Sequence, residues 1–190
     1  MRPSLKRCDW ADNDPLLSDY HDREWGVPVY DDRIIFEFLV LESFQAGLSW
    51  ITILRKRENF RKAFSEFDYN LVAGYGQEKI NELMNNSGII RNKMKIGAAI
   101  NNAKAFIRVR QEFGSFSNYF WSFTAGKPIV NNFVSIKDLP AKTELSDRIS
   151  IDLKKRGFKF MGSTIVYAHM QATGIVNDHY IYCFRHTELS

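Results

Sequence analysis

KINELMNNSGIIRNKMKIGAAINNAKAFIRVRQEFG, residues 79–114, decides how this chain is read. Apolar residues recur at helical spacing on both sides of Asn86-Ser87-Gly88, so the stretch predicts two helices broken at that triplet, the second ending before Gly114. Gly88 permits a tight turn between them, and the amides after it open the N-terminus of the second helix. With Arg91 and Lys93 beside them, such amides can seat a phosphate; an ordinary helix–helix turn with glycine has the same look.

The charge of the same region points the same way. No acidic residue occurs from Leu83 to Gln111, while Arg91, Lys93, Lys95, Lys104, Arg108 and Arg110 all fall there. Two further clusters repeat the sign: Arg55-Lys56-Arg57 with Arg61-Lys62, and Lys154-Lys155-Arg156 with Lys159. Any one cluster can be a solvated helix face; an acid-free span of this length favours a nucleic acid.

Outward from the hairpin the spacing stays helical. Asp31 or Asp32 can cap a helix from about Arg33 to Gln45, and Ser49 the next, through Phe64. Asp68 opens a short helix, Ser115 another, and further helices run from about Thr143 to Arg156 and from about Ser163 to Thr173. The polar stretch from Thr124 to Lys142 is the longest irregular region. No alternation of period two is convincing, and the expected class is all-α.

With 190 residues, 45% apolar and 25% charged, the chain fits one compact domain or two small lobes sharing a cleft, and disorder is excluded. No segment is apolar and long enough to cross a bilayer, and MRPSLKRCDW lacks the core of a secretory signal, so no membrane association and a cytoplasmic location are expected.

LVLESFQAGLSW, residues 39–50, places Glu42 where the apolar pattern calls for leucine. A carboxylate removed from water without a partner costs several kcal/mol or is driven neutral. Trp10, Tyr20, Trp25 and Trp50 are the aromatics to set beside it. Each alone is ordinary core. Together they form a box with one acidic wall, suited to a planar, electron-poor ring bearing N–H donors.

Each terminus also offers one thiol and one imidazole: Cys8 with His21, and His179 with Cys183. Four such ligands suit a tetrahedral structural zinc, and four protein ligands would close the site to catalysis. Two buried cysteines and two hydrogen-bonded histidines fit the spacing equally, and His186 is a possible substitute ligand.

CDW at 8–10, YHDREWGVP at 20–28, LESFQAGLSWITILRKRENF at 41–60, SGIIRNKMKI at 87–96, KKRGFKFMGSTIVYAHMQATGIVNDH at 154–179 and Cys183 resemble the type I 3-methyladenine DNA glycosylases. The resemblance implies a helix-hairpin-helix glycosylase fold over 1–190, one domain of two helical lobes around a base-binding cleft. A zinc lobe would come from 1–30 and 160–190, and the DNA-gripping hairpin from about 76–113. It implies one structural zinc on Cys8, His21, His179 and Cys183, and a base pocket of Glu42, Trp10, Tyr20 and Trp50 with Trp25 nearby. DNA contact falls to the turn at Gly88 with Arg91 and Lys93, and Gln45 and Leu48 occupy the loop that fills the gap left by a flipped nucleotide. Two positions depart from the family: Leu17 where a second pocket tyrosine is common, and Ser43-Phe44 where small or polar residues are usual.

The implied reaction is monofunctional hydrolysis of the N-glycosidic bond in double-stranded alkylated DNA, releasing free 3-methyladenine, by a monomer. N3 methylation makes the nucleotide cationic, so its base departs neutral and the bond is already weak. Less catalysis is then needed, which agrees with Asn101, Asn102 and Lys104 standing where related glycosylases place a catalytic aspartate. Glu42 would accept hydrogen bonds from the exocyclic amine and N7 side of adenine and repel the carbonyl of a guanine. Two other readings account for part of the pattern: a zinc-stabilised DNA-binding module without activity, and a glycosylase fold whose activity is lost or changed.

Overall fold

Asp31 accepts hydrogen bonds from the amides of Arg33 and Ile34 and so starts α2 (Asp32–Gln45), around which the molecule is built. Every residue of α2 from Ile35 to Phe44 is buried, so this helix has no solvent face and shows no single apolar stripe. The computed structural model describes residues 6–190; the first five residues of the expected zinc lobe lie outside the described residues.

Before α2 comes α1 (Pro15–Arg23), begun by Asp14, whose side chain accepts from the Leu16 amide, with Pro15 in the first turn. After it come α3 (Trp50–Ala63), α4 (Tyr69–Ala73), α5 (Gln77–Asn85), α6 (Lys93–Phe113), α7 (Phe116–Ser122), α8 (Glu144–Lys155), α9 (Ser163–Ala172) and α10 (Phe184–Glu188), with short 3-10 turns at Asp9–Ala11 and Ser65–Phe67. Ser49 precedes α3, but its hydroxyl bonds the Thr52 hydroxyl at 2.8 Å rather than capping a backbone amide. Asp68, Ser115 and Thr143 cap as their chemistry predicts, Thr143 through a reciprocal capping box with Ser146.

The all-α expectation has one small correction. β1 (Ile129–Val130) pairs in parallel with β2 (Val176–Asn177), with Ile129 opposite Val176 and Val130 opposite Asn177. Two residues a side are too short to show an alternating pattern. The pairing ties the irregular segment before α8 to the chain leaving α9.

Two apolar clusters form. The larger gathers α2, α3, α6, α7 and α9, with Phe106 stacked on Phe116 at 4.1 Å and edge-on to Phe36 at 5.2 Å. The smaller joins Cys8, Tyr20, Trp25, Phe38, Leu54, Tyr180 and Cys183. Trp50 packs against both, at the seam where the cavity described below opens. Gly174 ends α9 at φ +72°, where a side chain would run into the backbone of Val27 and Pro28; this close approach brings α9 against the segment that carries Trp25. No helix among the described residues is long and apolar enough to cross a membrane.

Candidate functional site

A cavity of about 330 Å³ is lined by Trp10, Tyr20, Trp25, Glu42, Gln45 and Trp50, together with Ile136, Leu139, Ala168 and Gln171. That size suits a small planar molecule. All five residues expected to form the aromatic box are therefore brought together. Trp10 meets Trp25 edge-on at 5.0 Å, and Tyr20 tilts against Trp50 at 5.4 Å. Among the described residues one acid and no base line the cavity.

Glu42 is 3% exposed, and its Oε2 has no hydrogen-bond partner among the described residues. Burial pushes its carboxyl up to about 8. Burial thus favours the neutral acid over the carboxylate unless a donor or a positive charge joins it in the cavity. The indole N–H of Trp50 is buried with no acceptor among the described residues. An acid and a donor stand unpaired in one cavity, each able to meet a polar ligand edge. Burial, and then the neighbouring Glu42, raise the Tyr20 phenol well above its ordinary range, so it is a neutral wall.

The loop after α2 lies at the rim. Gln45 lines the cavity, Gly47 sits at φ +85° in open space, and Leu48 is 40% exposed, an apolar side chain offered to solvent. At the hairpin, Gly88 does not have a positive φ; glycine is needed there because a Cβ would come within 3.1 Å of Asn59 and 2.9 Å of Asn86. The Gly88 amide is taken by Asn86 Oδ1 at 2.8 Å, and Lys56 Nζ donates to the carbonyls of Ser87 and Gly88. The amides of Arg91, Lys93 and Met94 make no hydrogen bond among the described residues, and the Arg91 and Lys93 side chains are exposed.

The basic span is less uniform than its sequence. Lys95 turns inward, Arg110 pairs with Asp32, and Arg108 donates to the carbonyl of Arg156. Arg57, counted with a second basic cluster, is buried between Glu24 and Glu37. Asn102 clasps the backbone of Lys159 through its carbonyl and amide, at 2.8 and 2.9 Å, and Asn101 donates to the Gly157 carbonyl. Both asparagines hold the RGFKF turn in place.

On the far side of Trp25, Cys8, His21, His179 and Cys183 are all buried, their ligand atoms within 4.8 Å of one another. Cys183 Sγ lies 3.4 Å from His21 Nε2 and 3.6 Å from His179 Nδ1, and the two nitrogens are 3.2 Å apart. A tetrahedral zinc with ordinary bond lengths needs about 3.6 Å between sulfur and nitrogen and about 3.3 Å between nitrogens. The donor set fits. His21 Nδ1 meets Asp22 Oδ1 at 2.8 Å and His179 Nε2 meets the Trp25 carbonyl at 3.0 Å, the outer contacts that aim the opposite ring nitrogens inward. The four residues can hold one metal ion and so join the two ends of the chain. His186 stands apart, its Nε2 at 2.9 Å from the Asn131 carbonyl, and is not a substitute ligand.

Ile136, Leu139, Ala168 and Gln171 are cavity residues that the spacing of the chain does not reveal. Ile136 and Leu139 come from the irregular segment, and Ala168 and Gln171 from α9. Gln171 donates to Asp178 Oδ2 at 2.8 Å, which fixes its amide at the wall. Leu17 packs against the smaller apolar cluster rather than adding a wall.

Comparison with known proteins identifies the family. The family model described as methyladenine glycosylase matches residues 10–186. The chain is 47% identical over 179 residues to DNA-3-methyladenine glycosylase 1 of Escherichia coli (strain K12), covering 94% of this chain and 96% of that protein. It is 46% identical over 173 residues to the DNA-3-methyladenine glycosylase of Haemophilus influenzae, covering 91% and 94%. A crystal structure of 3-methyladenine DNA glycosylase I superposes with TM-score 0.91 at 49% identity, over 94% of this chain and 98% of that one. The Staphylococcus aureus enzyme, described for its recognition of 3-methyladenine, gives 0.91 at 35% identity, over 96% and 97%. The chain belongs to the methyladenine glycosylase family.

Proposed function

We propose that this protein is a DNA-3-methyladenine glycosylase, which hydrolyses the N-glycosidic bond of 3-methyladenine in alkylated double-stranded DNA and so begins base-excision repair. The observation that carries this reading is Glu42, unpaired in a cavity walled by Trp10, Tyr20, Trp25 and Trp50. An undamaged purine is neutral and gives the carboxyl no reason to ionise. A cationic N3-methylated nucleotide does: beside positive charge the carboxylate form is favoured, and the aromatic faces hold the same charge. Glu42 then accepts from the exocyclic amine while the ring is stacked, and bond cleavage lets the base leave neutral as water adds to the sugar. Flipping and selective binding carry most of the acceleration.

Support for the DNA contacts is positional. Exposed Arg91 and Lys93, with the free amides at the start of α6, suit a backbone phosphate, and the turn at Gly88 is read as the helix-hairpin-helix element. Gln45 lines the cavity and the exposed Leu48 follows three residues later, in the loop that would fill the gap of an extruded nucleotide. We read the chain as a single domain of two lobes acting as a monomer. Zinc is the metal the Cys8–His21–His179–Cys183 set suits; when bound it supplies four fixed bonds and no chemistry at the base.

The direct test is incubation with methylated duplex DNA and separation of the bases set free. The expected result is release of 3-methyladenine well ahead of 7-methylguanine; no free base, or equal release of both, refutes the proposal. Elemental analysis should find about one zinc per chain, lost together with stability in Cys183→Ser.

A further inference from the structure

Lys95, in the first turn of α6, is 6% exposed, and its ammonium donates to the carbonyls of Phe44 and Ala46, each at 2.8 Å. Those carbonyls are the open end of α2. A cation there meets both the unsatisfied acceptors and the negative pole of the helix. Burial lowers the Lys95 pKa, so the position carries a cost that a surface ion pair would not. The anchored helix end carries Glu42 and Gln45 in its last turn and runs on into Gly47 and Leu48. Ala46, Gly47, Leu48 and Ser49 are all exposed, and within the loop the Leu48 amide bonds the Gln45 carbonyl at 2.6 Å. At its other end Lys95 belongs to the helix that begins just after the hairpin, beside Arg91 and Lys93.

We propose that Lys95 is a positioning residue that couples the seating of the DNA backbone on the hairpin to the placement of the Gln45–Leu48 loop, and so to base extrusion. This rests on the glycosylase reading above. A bound backbone fixes the start of α6; Lys95 transmits that position across to the end of α2, so the loop tip enters the duplex at a defined distance from the cavity. Lys95 does not touch the base. Its loss affects the flipped state on DNA and leaves the pocket for a free base intact.

The test is Lys95→Met, which keeps an unbranched side chain one atom shorter and removes both hydrogen bonds and the charge. Single-turnover release of 3-methyladenine from methylated duplex should fall about a hundredfold, the effect of a misplacement near 1 Å, in the saturating rate more than in half-saturation. Emission from a 2-aminopurine placed beside the lesion, which reports extrusion without bond cleavage, should fall with it. Binding of free 3-methyladenine, followed by tryptophan fluorescence, should change less than about twofold, and Lys95→Arg should recover part of the rate. Equal release by K95M and wild type overturns the proposal, as does a parallel loss of free-base binding, which would make Lys95 a mere prop of the pocket. If K95M does not fold, K95Q is read by the same ratio. Wild-type protein that extrudes the reporter but releases no base refutes the glycosylase reading, and the reporter then decides the role of Lys95 alone.

Discussion

Helix α2 carries two buried carboxylates with opposite surroundings. Glu37 is held by Arg57 at 2.6 Å and Arg61 at 2.9 Å, and Arg57 is shared with Glu24. Glu42, about 140° further around the helix, meets no cation among the described residues and leaves an oxygen unpaired there. Hydrophobic neighbours surround both, so burial alone does not separate an acid that holds the fold from one left free to meet a ligand. The partner does. An acid whose charge is matched inside the protein has nothing to offer a ligand; one left unmatched at the wall of a cavity is waiting for a charge from outside.

Glu42→Ala breaks this contrast on its functional side. Release of 3-methyladenine should fall about a thousandfold, ~4 kcal/mol of barrier. The fold should survive, since an unpaired buried acid contributes nothing to hold it. Activity within tenfold of wild type would show that the aromatic walls alone suffice.

Glu37→Ala breaks it on the structural side. Arg57 keeps Glu24 and Arg61 keeps Glu58, so the loss should be ~3 kcal/mol, the low end for removing one partner of a buried pair. Urea unfolding measures it. Base release per folded molecule should stay within a few fold, because Glu37 does not line the cavity. A stability change under about 1 kcal/mol would make the network decorative.

How much of this was legible beforehand differs by feature. Helices with a capping side chain and a glycine stop were readable because those signals are local: Asp31, Asp68, Ser115 and Thr143 do what isolated peptides would do. Helix α1 was missed although Asp14-Pro15 is a start signal, because its polar face hides the period. The box residues were readable because an acid in an apolar run is a conspicuous violation. Ile136, Leu139, Ala168 and Gln171 were not, since only tertiary folding brings the irregular segment and α9 to that wall. Charge was the most misleading signal. Composition reports that Arg57, Lys95, Arg108 and Arg110 are basic, but not that each is spent on an internal acceptor.

The gentlest way to sharpen the comparison uses pH. The Glu42 carboxyl titrates at about 8 in the fold against an ordinary value of 4.5, and burial is the cause. Between those values the native state keeps a proton that the unfolded chain has released, so this group lowers stability as pH rises, by at most ~1.4 kcal/mol per pH unit. Below the window both states are protonated, and above it both are ionised, so the contribution is constant at either end. Glu42→Gln mimics the neutral acid and removes the titration, while every other group stays. The difference in unfolding free energy between E42Q and wild type should therefore grow in favour of the variant from about pH 5 to about pH 8, by denaturant titration at three or four pH values. A difference that stays flat would mean the Glu42 carboxylate is already ionised and matched in the resting protein, as Glu37 is, and the distinction between the two acids would be lost.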